Sequence, residues 1–294
     1  VTNTTAKISF AFFGTPALTT VLLDALKAAS LLPTLIITTP DKPQGRKLVI
    51  TPTPVKLWAI ANDVPYLQPE KLDEAFIQSL ANKNFDLFVV VAFGKILPER
   101  LLNLPKSGTI NVHYSLLPKY RGATPVESAI LQGESETGIC IQKMQWKLDT
   151  GPILKMETFA ILPSMTAPEL RDKLNERASL LLPEVIIKHV HGEIIPIPQD
   201  DSLATNCSKI EKEDGLIDLF EDPFENDRKF RAYFGWPGSY FFIRDKDKDI
   251  RVIIKDAILD NGKFIIKRVV PEGKKEMDYQ TFLKNNPFIE NSSL

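Results

Sequence analysis

The run DLFVVVAF, residues 86–93, is the stretch on which the reading of the fold turns. Its apolar residues are continuous rather than alternating, so a strand formed here is covered on both faces, as in a parallel sheet with crossover helices. The same texture recurs in KISFAFF (7–13), TLIIT (34–38) and GTINVHYS (108–115). Between these runs the period changes to that of a helix. PALTTVLLDALKAAS (16–30) sets Val21, Leu22, Ala25, Leu26 and Ala29 on one stripe, and KLDEAFIQSLANK (71–83) does so with Leu72, Ala75, Phe76, Ser79 and Leu80. Strands alternating with helices predict an α/β fold, a Rossmann-like, mostly parallel sheet with helices on both faces. TGICIQKM (137–144) and ILKMETFAIL (153–162) read as strands that extend the sheet. Residues 166–191 read as a long helix with a Thr166–Glu169 capping box, an apolar face of Leu170, Leu174, Ala178, Leu181 and Val185, and a bend at Pro183.

Past Gly192 the texture becomes polar and proline-containing, which predicts a linker over 192–208 between a large unit, 1–191, and a small one, 209–294. Within the small unit, residues 241–270 hold three β-rich runs separated by a charged turn and by Asp-Asn-Gly at 260–262, an antiparallel meander. A chain of 294 residues, 44% hydrophobic and 25% charged, has enough apolar material for both cores. It contains no apolar run near the ~20 residues of a membrane span, and VTNTTAK (1–7) has neither the basic nor the apolar region of a secretory signal, so a cytoplasmic protein without a membrane partner is expected. Two cysteines, Cys140 and Cys207, are too few for a disulfide framework. The 36 basic and 37 acidic residues balance overall, yet residues 228–277 carry 13 Lys or Arg against 7 Asp or Glu. That local excess suits either a solvated sheet face or an electrostatic track.

Chemistry concentrates in NVHYSLLPKYRG (111–122). Strand periodicity aims Asn111 and His113 to one face, just where the strand runs out and where open α/β sheets bind their ligands. An Asn amide donates to an oxygen gaining negative charge, and an imidazole donates or moves a proton. Asp149, in the turn KLDTGPIL (147–154), can orient such a histidine if the fold joins the two loops; equally, Asn-x-His suits a strand edge and the aspartate a turn cap. FFGTP (12–16) is a strand-to-helix turn of the kind that meets anions, but no Gly-x-Gly-x-x-Gly, no Gly-x-Ser-x-Gly and no metal-ligand spacing is present.

FFGTPALTT, TPDKPQGRKLVITPTPVK, VVVAFGKILP, INVHYSLLPKYRGATP, TGICIQKM, LDTGPIL, KIEKEDGLIDL, WPGSYF and PEGKKEM, in this order, resemble the methionyl-tRNA formyltransferases over nearly the whole chain. The Asn-x-His-x-Ser-Leu-Leu-Pro and Leu-Asp-Thr-Gly pair marks the wider folate-dependent formyltransferases; KEDG, Trp-Pro and PEGKKEM are particular to the tRNA enzymes. The resemblance implies a Rossmann-like catalytic domain followed by a small OB-type barrel. It implies 10-formyltetrahydrofolate as formyl donor, with no metal, and the amino group of initiator methionyl-tRNA as acceptor. It assigns catalysis to Asn111, His113 and Asp149, folate binding to Ser115, Leu116, Leu117 and Pro118, and tRNA binding to Arg46; a monomer is expected. Departures from the family pattern also carry expectations. Tyr114 replaces a small residue and should point away from His113. Lys147 replaces a glycine, which puts backbone strain before Asp149 in question. The short turn between RVIIKDAIL and KFIIKRVV predicts a shortened barrel. Small-amine formyltransferases, noncatalytic folate- or RNA-binding modules and nicotinamide oxidoreductases are weaker rivals: the first leave KEDGLIDL and PEGKKEM unexplained, the second the catalytic trio, and the third lack their glycine signature.

Overall fold

The computed structural model describes residues 7–45, 48–245 and 248–286, and the chain divides into two compact units. The first takes the residues up to 121 with 138–159 and 172–206; the second takes 122–137, 160–171 and the residues from 207 onward. The partition interleaves along the chain, whereas sequence texture marks a single crossing at 192–208.

The large sheet has seven strands: β1 (Phe10–Gly14), β2 (Leu35–Ile37), β3 (Tyr66–Leu67), β4 (Leu87–Val91), β5 (Thr109–His113), β6 (Glu136–Lys143) and β7 (Ile153–Ala160). Their spatial order is β7-β6-β5-β4-β1-β2-β3. From β5 to β3 all pairs are parallel, and β5 meets β6 antiparallel, so the sheet is mostly parallel as the sequence predicts. Phe10 to Phe13 are fully buried, as are Leu87, Phe88, Val89 and Val91, which is what continuous apolar runs require of strands covered on both sides. One face packs Phe13, Phe88, Phe85 and Phe93 with Ile77, Leu80 and Leu101. Phe13 meets Phe88 at 5.1 Å and Phe93 edge-on at 5.4 Å between ring centres, favourable aromatic geometries.

Helix α1 (Leu18–Ala28) buries Thr19, Leu22, Leu23 and Leu26. Two residues of the predicted stripe hold; Val21 turns to solvent. Helix α2 (Pro54–Ala61), capped by the Thr53 hydroxyl, was not predicted, and α3 (Glu74–Ala81), capped by Asp73, was. The long helix α4 (Ala167–Val190) is continuous through Pro183. Half of the expected capping box forms: the Thr166 N–H donates to Glu169 at 2.9 Å, while the Thr166 hydroxyl, instead of accepting from the Glu169 N–H, also donates to the carboxylate at 2.8 Å, and both bonds hold that carboxyl below its usual range. The buried stripe runs Leu170, Leu174, Ala178, Leu182, Val185 and Ile186, so the four-residue spacing selects Leu182 over the expected Leu181.

In the second unit, helix α5 (Pro223–Ala232) precedes strands β8 (Tyr240–Asp245), β9 (Lys248–Asp260), β10 (Lys263–Pro271) and β11 (Met277–Asp278), which form one antiparallel sheet in chain order. Helix α6 (Tyr279–Lys284) follows. This is the small barrel-type domain of the expected fold. Among the described residues no helix is long and apolar enough to cross a membrane.

His189, near the C-terminal end of α4, is half-buried, its Nε2 donating to the Ser107 carbonyl at 3.0 Å. Burial, with a smaller contribution from Lys143, lowers its pKa from 6.5 despite the opposing hydrogen bond. The unfolded chain therefore takes up this proton first as pH falls, so the group's contribution is intact above about 6.5 and is lost below it. Urea midpoints measured at neutral and mildly acidic pH should differ less in His189→Gln than in the parent chain.

Candidate active site

Asn111 and His113 occupy the last turns of the pleat in β5, and period two sends both to one face of the sheet. Opposite them on β6, Asn111 pairs with Gln142 and His113 with Cys140. Directly opposed residues share a face, so Gln142 stands beside Asn111. His113 is 5% exposed, and its Nε2 lies 2.9 Å from the Tyr120 carbonyl. A carbonyl only accepts, so Nε2 carries the proton and Nδ1 faces the other way. There it meets Asp149 Oδ2 at 3.7 Å, with the two side chains 6% and 7% exposed. That separation is too long for a hydrogen bond. Among the described residues the half-buried Asn111 amide takes no hydrogen-bond partner.

Asp149 has φ +53°, a left-handed conformation that non-glycine residues seldom adopt. The expected strain thus falls on the aspartate; Lys147, the residue standing in for a glycine, is not left-handed. The turn is closed by Thr150, whose hydroxyl donates to the Lys147 carbonyl at 2.9 Å. Gly151 leaves no space: a Cβ there would lie 1.6 Å from the Lys143 carbonyl oxygen. Behind the carboxylate, Gln142 Nε2 donates to Asp149 Oδ1 at 2.8 Å. Gln199 Nε2 donates to the backbone carbonyls of Asp149 and Gly151 at 2.9 and 2.7 Å, and Arg121 donates in turn to Gln199. None of Gln142, Gln199 and Arg121 was singled out from the sequence. Gln142 had a signal, the alternation of TGICIQKM that puts it on the face of Cys140; Gln199 and Arg121 had none.

The segment after His113 divides by exposure. Ser115 is fully buried, its hydroxyl donating to the Lys119 carbonyl at 2.6 Å, and Leu117 packs with Cys140 and Ile153 in a small apolar cluster. Leu116 and Pro118 remain half-exposed. Leu116 lies over Gly138, where a Cβ would come within 2.4 Å of its Cδ2. Tyr114 points into the core, and its hydroxyl donates to Asn175 Oδ1 at 2.8 Å while Asn175 donates to the Leu18 carbonyl. The extra ring therefore ties β5 to α4 and α1, as expected of a side chain opposite His113. Cys140 is fully buried, and burial pushes its thiol up to about 12, which leaves it inert. Arg46 lies outside the described residues. The base of its loop is ordered by Lys56, which binds Asp41 at 2.5 Å and holds that carboxyl below its usual range.

Residues 6–186 match the formyl transferase family model. The methionyl-tRNA formyltransferase of Sulfurihydrogenibium sp. is 41% identical over 81% of this chain and 78% of its own length, and that of Thermus thermophilus is 40% identical over 90% and 85%. The chain belongs to the methionyl-tRNA formyltransferases. Its fold is shared with more distant formyltransferases, including an N-formyltransferase from Helicobacter canadensis in complex with folinic acid and dTDP-3-aminofucose. That structure superposes with a TM-score of 0.66 at 18% identity, over 86% of this chain and 88% of the other. HypX from Aquifex aeolicus, in complex with tetrahydrofolic acid, gives 0.62 at 15% identity, over 95% and 47%.

Gly151 is the tightest point of the turn that carries Asp149. Gly151→Ala must displace the turn that carries Asp149, and a shift of about 1 Å costs on the order of 100-fold in rate. The expected result is that loss in formyl transfer together with a lowered melting temperature, because the atom that must give way is backbone.

Proposed function

We propose that this chain transfers the formyl group of 10-formyltetrahydrofolate to the free amino group of initiator methionyl-tRNA, in support of translation initiation, and that Asn111, His113 and Asp149 carry the reaction. What carries this reading is the buried approach of the His113 ring to the Asp149 carboxylate beside the Asn111 amide. The Asn111 N–H and a proton on His113 Nδ1 donate to the formyl oxygen as it gains charge under attack by the amine. Asp149 stabilises the charged ring and, directly or through water, receives the proton that the amine loses when the new C–N bond forms. That proton goes on to the nitrogen of the departing tetrahydrofolate. Because Nε2 is held by the Tyr120 carbonyl, Nδ1 is the nitrogen left to act.

The residues fit a reduced folate as substrate. Among the described residues the Asn111 amide has no hydrogen-bond partner, and Leu116 and Pro118 in the following segment are half-exposed, while Ser115 and Leu117 hold that segment from within. In this reading residues 1–191 form the catalytic domain, 192–208 the linker and 209–294 the tRNA-binding domain, and Arg46 meets the acceptor end of the tRNA. Lys255, Lys263, Lys267 and Lys274 are exposed and supply phosphate contacts. We take the protein to be a cytoplasmic monomer.

The test is transfer of labelled formyl from 10-formyltetrahydrofolate to methionyl-tRNA by the purified chain, run beside small amine acceptors; transfer only to the small amines would overturn the proposal. Asn111→Ala should lose ~10²–10³-fold in kcat, the effect of removing one oxyanion donor, with folate affinity nearly unchanged. His113→Ala should be almost inactive, and a half-active variant would remove it from the trio. Affinity for tRNA should fall steeply between about 50 and about 200 mM salt; a flat response would refute the electrostatic track.

A further inference from the structure

The polar groups behind Asp149 have a single consistent set of donor directions. The Arg121 guanidinium can only donate, and its Nε and one terminal nitrogen lie 3.1 and 2.8 Å from Gln199 Oε1. Gln199 must therefore turn its NH2 the other way, where it meets the Asp149 and Gly151 carbonyls. The Gln142 Oε1 lies 3.4 Å from that same nitrogen, so the Gln142 NH2 faces Asp149 Oδ1, which as a carboxylate only accepts. Donor-only arginine at one end and acceptor-only aspartate at the other determine every amide between them. Arg121 is itself held by Asp201 at 2.6 Å and is 5% exposed; Gln142 is 1% exposed. No alternative orientation of either amide keeps these bonds.

From this we infer that Gln142 and Gln199, oriented by Arg121, are positioning residues for formyl transfer. Gln142 holds one carboxylate oxygen so that the other faces His113. Gln199 holds the backbone of the left-handed turn that presents it. The glutamine in the polar linker thus belongs to the active site, not to the connection. The inference rests on the proposed role of Asp149.

Gln142→Met keeps the length of the side chain and removes the donor. Gln142→Glu also cannot donate and adds a second carboxylate, while Gln199→Met alters a half-exposed position with little risk to folding. Steady-state kinetics with methionyl-tRNA and 10-formyltetrahydrofolate should show kcat reduced about tenfold or more in each, as loss of a charge-assisted hydrogen bond implies. The KM for both substrates should stay within about twofold, because neither glutamine is assigned to contact them. A role in filling space alone would leave kcat intact in the methionine variants, and kcat at half the parent value or above would overturn the inference. Should Gln142→Met not fold, Gln142→Glu and Gln199→Met decide. Asp149→Ala in the same assay separates the two levels of the argument: if it remains active, the assignment of Asp149 fails and the relay with it; if it is inactive while the glutamine variants are not, only the relay fails.

Discussion

The register between β5 and β6 is the constraint on which the site depends. Asn111 faces Gln142 and His113 faces Cys140, so one antiparallel pair places the amide, the imidazole and the group that holds the aspartate on a single face. A slip of β5 by one residue would turn Asn111 and His113 away from Gln142 and bring Val112 to that face in their place. That slip is opposed by burial: Ile110, Val112, Ile139 and Ile141 are each no more than 3% exposed, and each would lose its apolar surroundings at once. The candidate site is therefore held in place by apolar residues on the strands that carry it.

A buried pair of polar side chains such as His113 and Asp149 gains nothing unless its remaining polar atoms are satisfied, since their desolvation otherwise exceeds their attraction. The Tyr120 carbonyl serves the ring and Gln142 serves the carboxylate, and both are fixed in turn. Tyr120 donates its N–H to Thr205, and Gln142 stands beneath Gln199. The left-handed backbone of Asp149 adds strain of order 1–3 kcal/mol, which persists only where the surroundings over-determine it. Here two carbonyl hydrogen bonds from Gln199 and the contact of Gly151 with Lys143 do so.

What the sequence discloses follows from how local each cause is. Strands covered on both faces write themselves as unbroken apolar runs, and the four such runs, at 7–13, 34–38, 86–93 and 108–115, each hold a strand. Period two was enough to put Asn111 and His113 together, and the Thr166–Glu169 box is a three-residue matter. Helix α2 went unread because its start, after a stretch crowded with prolines, looks like a loop until Thr53 is seen to cap it. Leu182 displaced Leu181 because a helical stripe drifts, and one residue of drift over four turns cannot be read without knowing what the helix packs on. Gln142 needed the register of two strands. Gln199 needed the path of a polar segment that returns to the first unit, which no periodicity encodes.

The second unit shows how a short turn reshapes a fold. Asn261 and Gly262 both have positive φ, +48° and +74°, which closes β9 onto β10 in the tightest hairpin that matches strand twist and leaves no room for an added excursion of strands. The sheet then has four strands and two edges, and the outer one is only the two-residue β11. A sheet of this size is stable only if its apolar face is covered. Helices supply the cover. Phe230 from α5 and Phe282 from α6 enter the same buried cluster as Phe241, Ile243, Val252, Ile254, Ile266 and Val269. Tyr279 stacks on Phe282, and both meet Phe241 edge-on. An aromatic helix at the end of the sheet thus shields part of a core that four strands alone do not enclose.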